Sequence, residues 1–247
     1  MKAIILAAGR GSRLGEMGND RPKCLVEFAG RPLIEHQLAA LRRAGVDQIA
    51  LVRGYRAEML QIPATASFDN VRWAETNMVV SLSCADSWLQ EETVIVSYGD
   101  IFYGSSVIEK LIESPGDLVI SYDRNWRSLW SRRFVDPLTD AETFRVDEAG
   151  ILIEIGGKTD NYASIEGQYM GLLKFTPTSW RWVRDTLSQL PASVVDRLDM
   201  TGLLRRLLEK KKVISTVSTV EHWGEIDDAG DLALYERMHE TGELVLE

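Results

Sequence analysis

Two glycines, a cluster of cations and one strand-end carboxylate are the residues of this chain whose spacing suggests chemistry. Gly9 and Gly11 lie in Leu6-Ala-Ala-Gly-Arg-Gly-Ser-Arg13, with Arg10 and Arg13 in the loop and Arg21, Pro22 and Lys23 soon after. A residue without Cβ lets the backbone take positive φ and bring N–H groups close to a phosphate. Residues 1–25 hold five Lys or Arg against two Asp or Glu, in a chain whose net charge is -9. Cations gathered at the glycine loop of an acidic protein point to a small polyanion, such as a nucleotide. Asp100 follows the apolar run Thr93–Ser97. Ligands of open α/β sheets bind outside the carboxyl ends of the strands. A carboxylate there, beside a triphosphate, most simply holds Mg²⁺, a hard ion that takes one or two carboxylates plus phosphate oxygens. On strand pattern alone, Asp100 reads equally as the start of a turn.

Two common phosphate loops are excluded by spacing. No G-x-x-x-x-G-K-[ST] string occurs. The dinucleotide fingerprint needs two residues before its last glycine, whereas Gly11 and Gly15 are separated by three, and the second strand ends Val52-Arg53-Gly54 without the expected acid.

The elements that must position these residues alternate at first. Lys2–Leu6, Gln48–Val52 and Thr93–Ser97 read as buried strands. Between them, a helix opens at Arg31–Ile34 and stops at Gly45, a weaker one spans 54–70, a short strand surrounds Val71–Trp73, and a helix runs from Thr76 to about Leu89. Such alternation predicts an α/β fold, a Rossmann-like, mixed but mostly parallel sheet flanked by helices. Ser105 or Ser106 should cap a helix ending near Glu113, and 118–122 reads as a strand. Residues 123–140, rich in tryptophan and arginine, show no clean period. Strands follow at 143–147, 151–155 and 168–175, then helical stripes at Trp180–Leu190 and Leu203–Leu208 with Asp199 as N-cap, and a strand at 213–220. The acidic loop Trp223–Asp231 leads to a last helix from about Leu232, with Asp231 a plausible cap. A single domain over 1–247 is expected, with 123–200 as its acceptor-binding part.

Composition narrows the partners. The acidic balance argues against nucleic acid, which wants a basic face. Cys24 and Cys84 form neither a disulfide framework nor a metal cluster. No apolar run approaches the ~20 residues of a membrane span, and the chain enters a strand at once, unlike a signal peptide. A cytoplasmic protein with two buried thiols is expected.

The string L-A-A-G-x-G-[ST]-R-L followed by P-K resembles the signature of the sugar-phosphate and choline-phosphate nucleotidylyltransferases. The likeness extends through Thr76–Leu82, Ser97–Asp100, Ile155–Lys158, Gly167–Leu172, Asp199–Thr201 and Trp223–Asp227, and is nearest to the phosphocholine cytidylyltransferase-type branch. It implies the nucleotide-diphospho-sugar transferase-like fold and Mg²⁺-dependent transfer of CMP from CTP to a phosphorylated or phosphonate head group, with pyrophosphate released. Under that resemblance, Leu6, Ala7, Ala8, Gly9, Gly11, Ser12, Arg13, Lys23, Asn77, Ser81, Tyr98 and Gly99 meet the nucleotide. Lys23, Arg13 and Asp100 act on the reacting phosphates, and Asp100, Asp227 and Glu225 hold Mg²⁺. Asn77 reads otherwise as a helix cap, and the acids of 225–231 as an ordinary solvated loop.

Lys158, after two glycines, matches the family's lysine for the acceptor phosphate, and Arg133 and Arg132 are candidates for the same anion. Trp126, Trp130, Glu166, Tyr169 and Trp223 are the candidate lining of the acceptor pocket, since aromatic faces and a carboxylate attract an ammonium. Core packing is the commoner fate of any one tryptophan. A sugar-1-phosphate uridylyl- or thymidylyltransferase is the alternative. A molybdopterin-type nucleotidyltransferase and a non-enzymatic nucleotide sensor are the other two readings.

Overall fold

The computed structural model describes residues 1–11, 13, 20–63, 65–220 and 223–246. Strand β1 (Lys2–Ala7) enters the glycine loop; the hairpin β2 (Glu27–Phe28) and β3 (Arg31–Pro32) leads to helix α1 (Leu33–Arg43) and β4 (Gln48–Arg53). β5 (Ala66–Asp69), α2 (Met78–Ser83), α3 (Asp86–Glu91), β6 (Val94–Tyr98), β7 (Ile101–Tyr103), α4 (Ser105–Glu113) and β8 (Leu118–Asp123) follow. Then come α5 (Trp126–Arg133), the antiparallel pair β9 (Phe144–Val146) and β10 (Leu152–Ile155), and β11 (Gln168–Phe175). The chain closes with α6 (Pro177–Leu187), α7 (Ala192–Val195), α8 (Met200–Glu209), β12 (Ser215–Thr219), β13 (Trp223–Glu225) and α9 (Ala229–Glu240).

Seven strands form one sheet in the order β12-β8-β11-β6-β1-β4-β5. All pairings are parallel except those of β11, which runs against both β6 and β8. The fold is therefore the expected mixed, mostly parallel α/β sheet. β1 is buried on both faces, as parallel strands are: Ile5 packs with α1 and α4 through Leu38, Leu41 and Ile108, and Ile4 with α2, α6 and α8 through Leu82, Trp180 and Leu203. Because β1 and β6 are parallel neighbours, with Leu6 opposite Tyr98, the glycine loop and Asp100 leave the sheet at the same edge. Among the described residues, no helix is long and apolar enough to cross a membrane.

Several local expectations are corrected. Residues 54–70 hold a 3₁₀ turn at Ala57–Met59 and strand β5, not a helix, and 71–73 are a turn rather than a strand. Pairing of β5 beside Ala50–Arg53 decides this stretch. Gly104, not Ser105 or Ser106, is the N-cap of α4. The aperiodic stretch 123–140 contains α5, whose inward side chains are Trp126, Trp130 and Arg133; an arginine buried by pairing hides the helical period. The last helix starts at Ala229, capped by Asp228, whose side chain accepts from Gly230 and Asp231; Asp231 is therefore not the cap. Cys24 is buried, but Cys84 is only half-buried.

The short strands β7 and β13, both unforeseen, matter most for position. They pair antiparallel, with Glu225 opposite Ile101, and the Ile226 N–H donates to the Asp100 carbonyl at 2.9 Å. A segment more than a hundred residues away in sequence is thereby placed beside Asp100. Gly224 makes this approach close: a Cβ there would stand 2.5 Å from Tyr235 and 2.6 Å from Phe102. Gly224→Ala should therefore cost ~1–3 kcal/mol, the usual range for overpacking, read as a lower urea midpoint at unchanged m-value.

Candidate functional site

The site grows from the first turn beyond β1. Gly11 has φ 68°, and a Cβ on it would lie 2.9 Å from the Cβ of Lys23. The glycine loop thus packs directly over Lys23, which opens a 3₁₀ turn after Pro22. Gly99 serves a similar close approach, since its Cβ would meet the Leu6 carbonyl at 2.6 Å.

The Lys23 ammonium donates to Asp100 Oδ2 at 2.7 Å and Asp227 Oδ1 at 2.6 Å. Arg13 reaches the other oxygen of Asp227 at 3.0 Å. One carboxylate oxygen from each of Asp100, Glu225 and Asp227 lies within 4.8 Å of the others. Burial, together with the charges of Asp100 and Asp227, pushes Glu225 up to about 8. Burial also acts to raise Asp227, but Lys23, Arg13 and Arg133 outweigh it and hold that carboxyl below its ordinary value. Burial acts to lower Lys23, yet Asp100, Asp227 and Glu225 raise it to about 12. Asp100 Oδ1 is buried with no hydrogen-bond partner among the described residues. Three converging carboxylates, one with an unused buried oxygen, are a donor set suited to a hard divalent cation such as Mg²⁺.

Three depressions meet at this cluster. The first, about 250 Å³, is lined by Leu6, Ala7, Gly9, Gly11, Arg13, Lys23, Cys24, Gly99, Asp100 and Asp227. The second, about 170 Å³, shares Leu6, Gly9, Gly99 and Asp100 with it and adds Ala8, Trp73, Thr76, Asn77, Met78, Ser81 and Tyr98. The third, about 310 Å³, shares Arg13 and Asp227 with the first and extends past Glu225, Trp130 and Tyr169 to Asp140, Glu142 and Asp199.

All the residues expected to meet a nucleotide line the first or second depression, except Ser12, which lies outside the described residues together with Gly15 and His222. Asn77 combines both of its readings. Its Oδ1 accepts from Met78 N–H at 2.7 Å and its Nδ2 donates to Arg197 O at 3.3 Å, so it caps α2 while facing the second depression. Ser81 accepts from Asn70 Nδ2 at 3.0 Å.

The acceptor set is divided. Trp130 and Tyr169 line the third depression; Trp126, Arg133, Lys158, Glu166 and Trp223 do not. Arg133 is not free for a ligand anion: its side chain is 1% exposed and holds Asp231 through two bonds of 2.8 Å. Arg132 pairs with Glu243. Trp126 is core, stacked on Tyr162 and donating to Ile165 O. Glu166 accepts the Val146 N–H at 2.9 Å. Trp223 borders a separate depression with Asp123 and Arg132. Lys158 is exposed and donates to the Asp140 carbonyl at 3.4 Å, which leaves it beside the third depression, where its charge acts on Glu142.

Trp73 and Met78 in the second depression, and Asp140, Glu142 and Thr143 in the third, were not among the expected site residues. Asp199 and Thr201 were visible as part of the family likeness and as a helix start, where Asp199 does accept from Gly202 N–H. Burial, above all, raises the Glu142 carboxyl; Lys158 opposes this, and Asp199 and Asp140 add to it.

Residues 3–157 match the MobA-like NTP transferase domain family. The chain is 36% identical to the CTP:phosphoglutamine cytidylyltransferase of Campylobacter jejuni, over 94% of this chain and 98% of that enzyme. It is 30% identical to the 2-aminoethylphosphonate cytidylyltransferase of Lancefieldella rimae, over 68% of this chain and 65% of that one. The inositol-1-phosphate CTP transferase of T. maritima superposes with a TM-score of 0.75 at 21% identity, covering 99% of this chain and 97% of the other, a likeness of fold.

Gly9 separates ligand from architecture. Its φ is not positive, and a Cβ on it would meet nothing within 4 Å among the described residues, although it borders both the first and the second depression. Gly9→Ala should leave the thermal midpoint unchanged while weakening triphosphate binding about 10-fold or more, the effect of a ~1–3 kcal/mol clash with the ligand. Isothermal titration with CTP reads both halves of this outcome when paired with a melting curve.

Proposed function

This chain belongs to the MobA-like NTP transferase family, and on that premise we propose that it is a Mg²⁺-dependent cytidylyltransferase acting on a small phosphorylated or phosphonate acceptor. The observation that carries this reading is the carboxylate cluster Asp100, Glu225 and Asp227 at the junction of the glycine-loop depression and the third depression. The relatives named for cytidylyl transfer to phosphoglutamine and 2-aminoethylphosphonate support CTP and the acceptor class.

The reaction forms a bond from an acceptor oxygen to the α-phosphorus of CTP and breaks the bond to pyrophosphate. The acceptor oxygen is already anionic, so the barrier is one of charge and alignment. Mg²⁺ held by Asp100, Asp227 and Glu225 would offset charge on the reacting phosphates. The glycine-loop amides and Arg13 are assigned to the β- and γ-phosphates. Lys23 spends two of its three N–H groups on Asp100 and Asp227, and the third is left for an α-phosphate oxygen. Asn77 and Ser81, beside Trp73 and Met78, are assigned to the base.

The acceptor part falls within 123–200. There Asp140, Glu142 and Asp199 stand beside the ring of Trp130, whose Nε1 donates to Asp140 Oδ2 at 3.0 Å. Among the described residues, Arg13 is the one cationic residue in that lining. This favours an acceptor with an amine opposite its phosphorus group, with the cationic end facing Glu142 and Asp199 and Lys158 left for the anion. A sugar wants several neutral hydrogen-bonding groups; of those in this lining, Gln168 is spent on Glu142 and Gly167 and Thr143 accepts from Gly157, which leaves hydroxyls, those of Tyr169 and Thr201 among them, against five carboxylates.

Pyrophosphate release should be fastest with CTP among the nucleoside triphosphates, and faster with phosphoglutamine, aminoethylphosphonate or phosphocholine than with any sugar-1-phosphate. Equal rates with CTP and UTP would remove the cytidylyl reading, and a sugar-1-phosphate leading the panel would remove the amine. Asp100→Asn should keep the fold and lower Mg²⁺-dependent turnover by ~10²-fold, the scale of losing one preorganised electrostatic group. Near-normal turnover at saturating Mg²⁺ would take Asp100 out of the site.

A further inference from the structure

We infer that Arg133 and Asp231 form a positioning pair that fixes where the carboxylates of Glu225 and Asp227 stand; the inference rests on the cation reading above. Arg133 donates through Nε and Nη2 to the two oxygens of Asp231, each at 2.8 Å. Asp231 Oδ2 also accepts the backbone N–H of Asp227 at 2.9 Å. The remaining guanidinium nitrogen, Nη1, is buried without a hydrogen-bond partner among the described residues and stands 3.8 Å from the Glu225 carboxylate. One buried guanidinium therefore bears on both acids, on Glu225 through space and on Asp227 through Asp231 and the backbone. Neither Arg133 nor Asp231 lines any of the three depressions.

Stability alone is a poor explanation for this pair. A buried ion pair is often replaceable by apolar side chains of similar volume at no loss. Apolar surroundings are already present, with the rings of Trp130 and Phe134 each centred 5.1 Å from the guanidinium carbon. What the pair supplies is a fixed group behind Glu225 and Asp227, on the side away from Lys23, which itself bridges Asp227 to Asp100. Its anchor is α5, which presents Trp130 to the third depression one turn earlier, so the carboxylate loop and the acceptor side share one rigid element.

The test titrates Mn²⁺ into the full chain, with and without CTP, and follows the free ion by electron paramagnetic resonance. Arg133→Met, Arg133→Lys and Asp231→Asn are compared, with a thermal midpoint for each. Outer-shell partners of metal ligands typically govern affinity by ~10–100-fold. A loss of at least about 10-fold in Mn²⁺ affinity is expected for Arg133→Met and Asp231→Asn on that scale, with Arg133→Lys between them and wild type. CTP affinity without a divalent ion should hardly change, which a general loosening of the fold would not allow. Asp231→Asn conserves shape and keeps the experiment readable if Arg133→Met does not fold. Mn²⁺ affinity equal to wild type in the folded variants overturns the proposal while leaving the cation site standing. A wild-type chain that binds no Mn²⁺ even with CTP overturns the cation reading, and this pair's role with it.

Discussion

The interaction on which the rest of the site depends is the ammonium of Lys23 held between Asp100 and Asp227. It joins the turn after the glycine loop, the end of a central strand and the loop before the last helix. Two carboxylates this close would repel strongly without a cation between them. Lys23 settles that repulsion inside the protein, and Arg13 adds a second positive group on the open side. The repulsion between Asp100 and Asp227 is therefore offset within the protein, while the third depression keeps the acidic excess of Asp140, Glu142 and Asp199. In the proposed reaction, a polyanion with its own divalent cation would exchange partners here with little reorganisation, the condition that makes electrostatic catalysis effective.

The sheet supplies the rigidity this exchange requires. β1 and β6 are parallel neighbours buried by helices on both faces, so their carboxyl ends are fixed relative to each other within the packing of the core. β11 runs the other way. Its first residues, Gln168 and Tyr169, are thereby delivered to the edge where its neighbours finish. Gly171, with φ 76°, lets the strand pass against the ring of Tyr98, where a Cβ would stand 2.7 Å away. One reversed strand thus brings the third depression beside the first two.

What could be read in the sequence was whatever is local. The runs Lys2–Leu6, Gln48–Val52 and Thr93–Ser97 are continuous and apolar, and all three are central strands. Gly9, Gly11 and Lys23 announce themselves by spacing, and Asp100 by its place after a strand. The pairing of β7 with β13 had no local sign: each is three residues long, and what aligns them is contact across the chain. Arg133 illustrates a second limit. Composition shows a cation but not whether a carboxylate already owns it, and the residue that does, Asp231, looked like a helix cap. Glu166 lies outside the lining of the third depression, with one of its oxygens accepting the Val146 N–H. Asp140, Glu142 and Thr143 follow the arginine-rich stretch in irregular chain, where no period marks which side chains turn inward.

The 204 positions separating Lys23 from Asp227 also set a timetable for synthesis. At a ribosomal pace of about 5–20 residues per second, Lys23 is made on the order of 10–40 s before Asp227. By the time Trp223 is reached the nascent chain contains β1, β4 and β6, and with them the glycine loop and Asp100 at one edge. It lacks two of the three carboxylates. Residues 223–240 then bring the acids, the helix that follows their loop, and Asp231 to meet the waiting Arg133. A chain interrupted before Trp223 would retain the strands of the main sheet and still lack Glu225 and Asp227 at its edge. Synthesis of that late segment, rather than formation of the sheet, is the event that finishes the cluster.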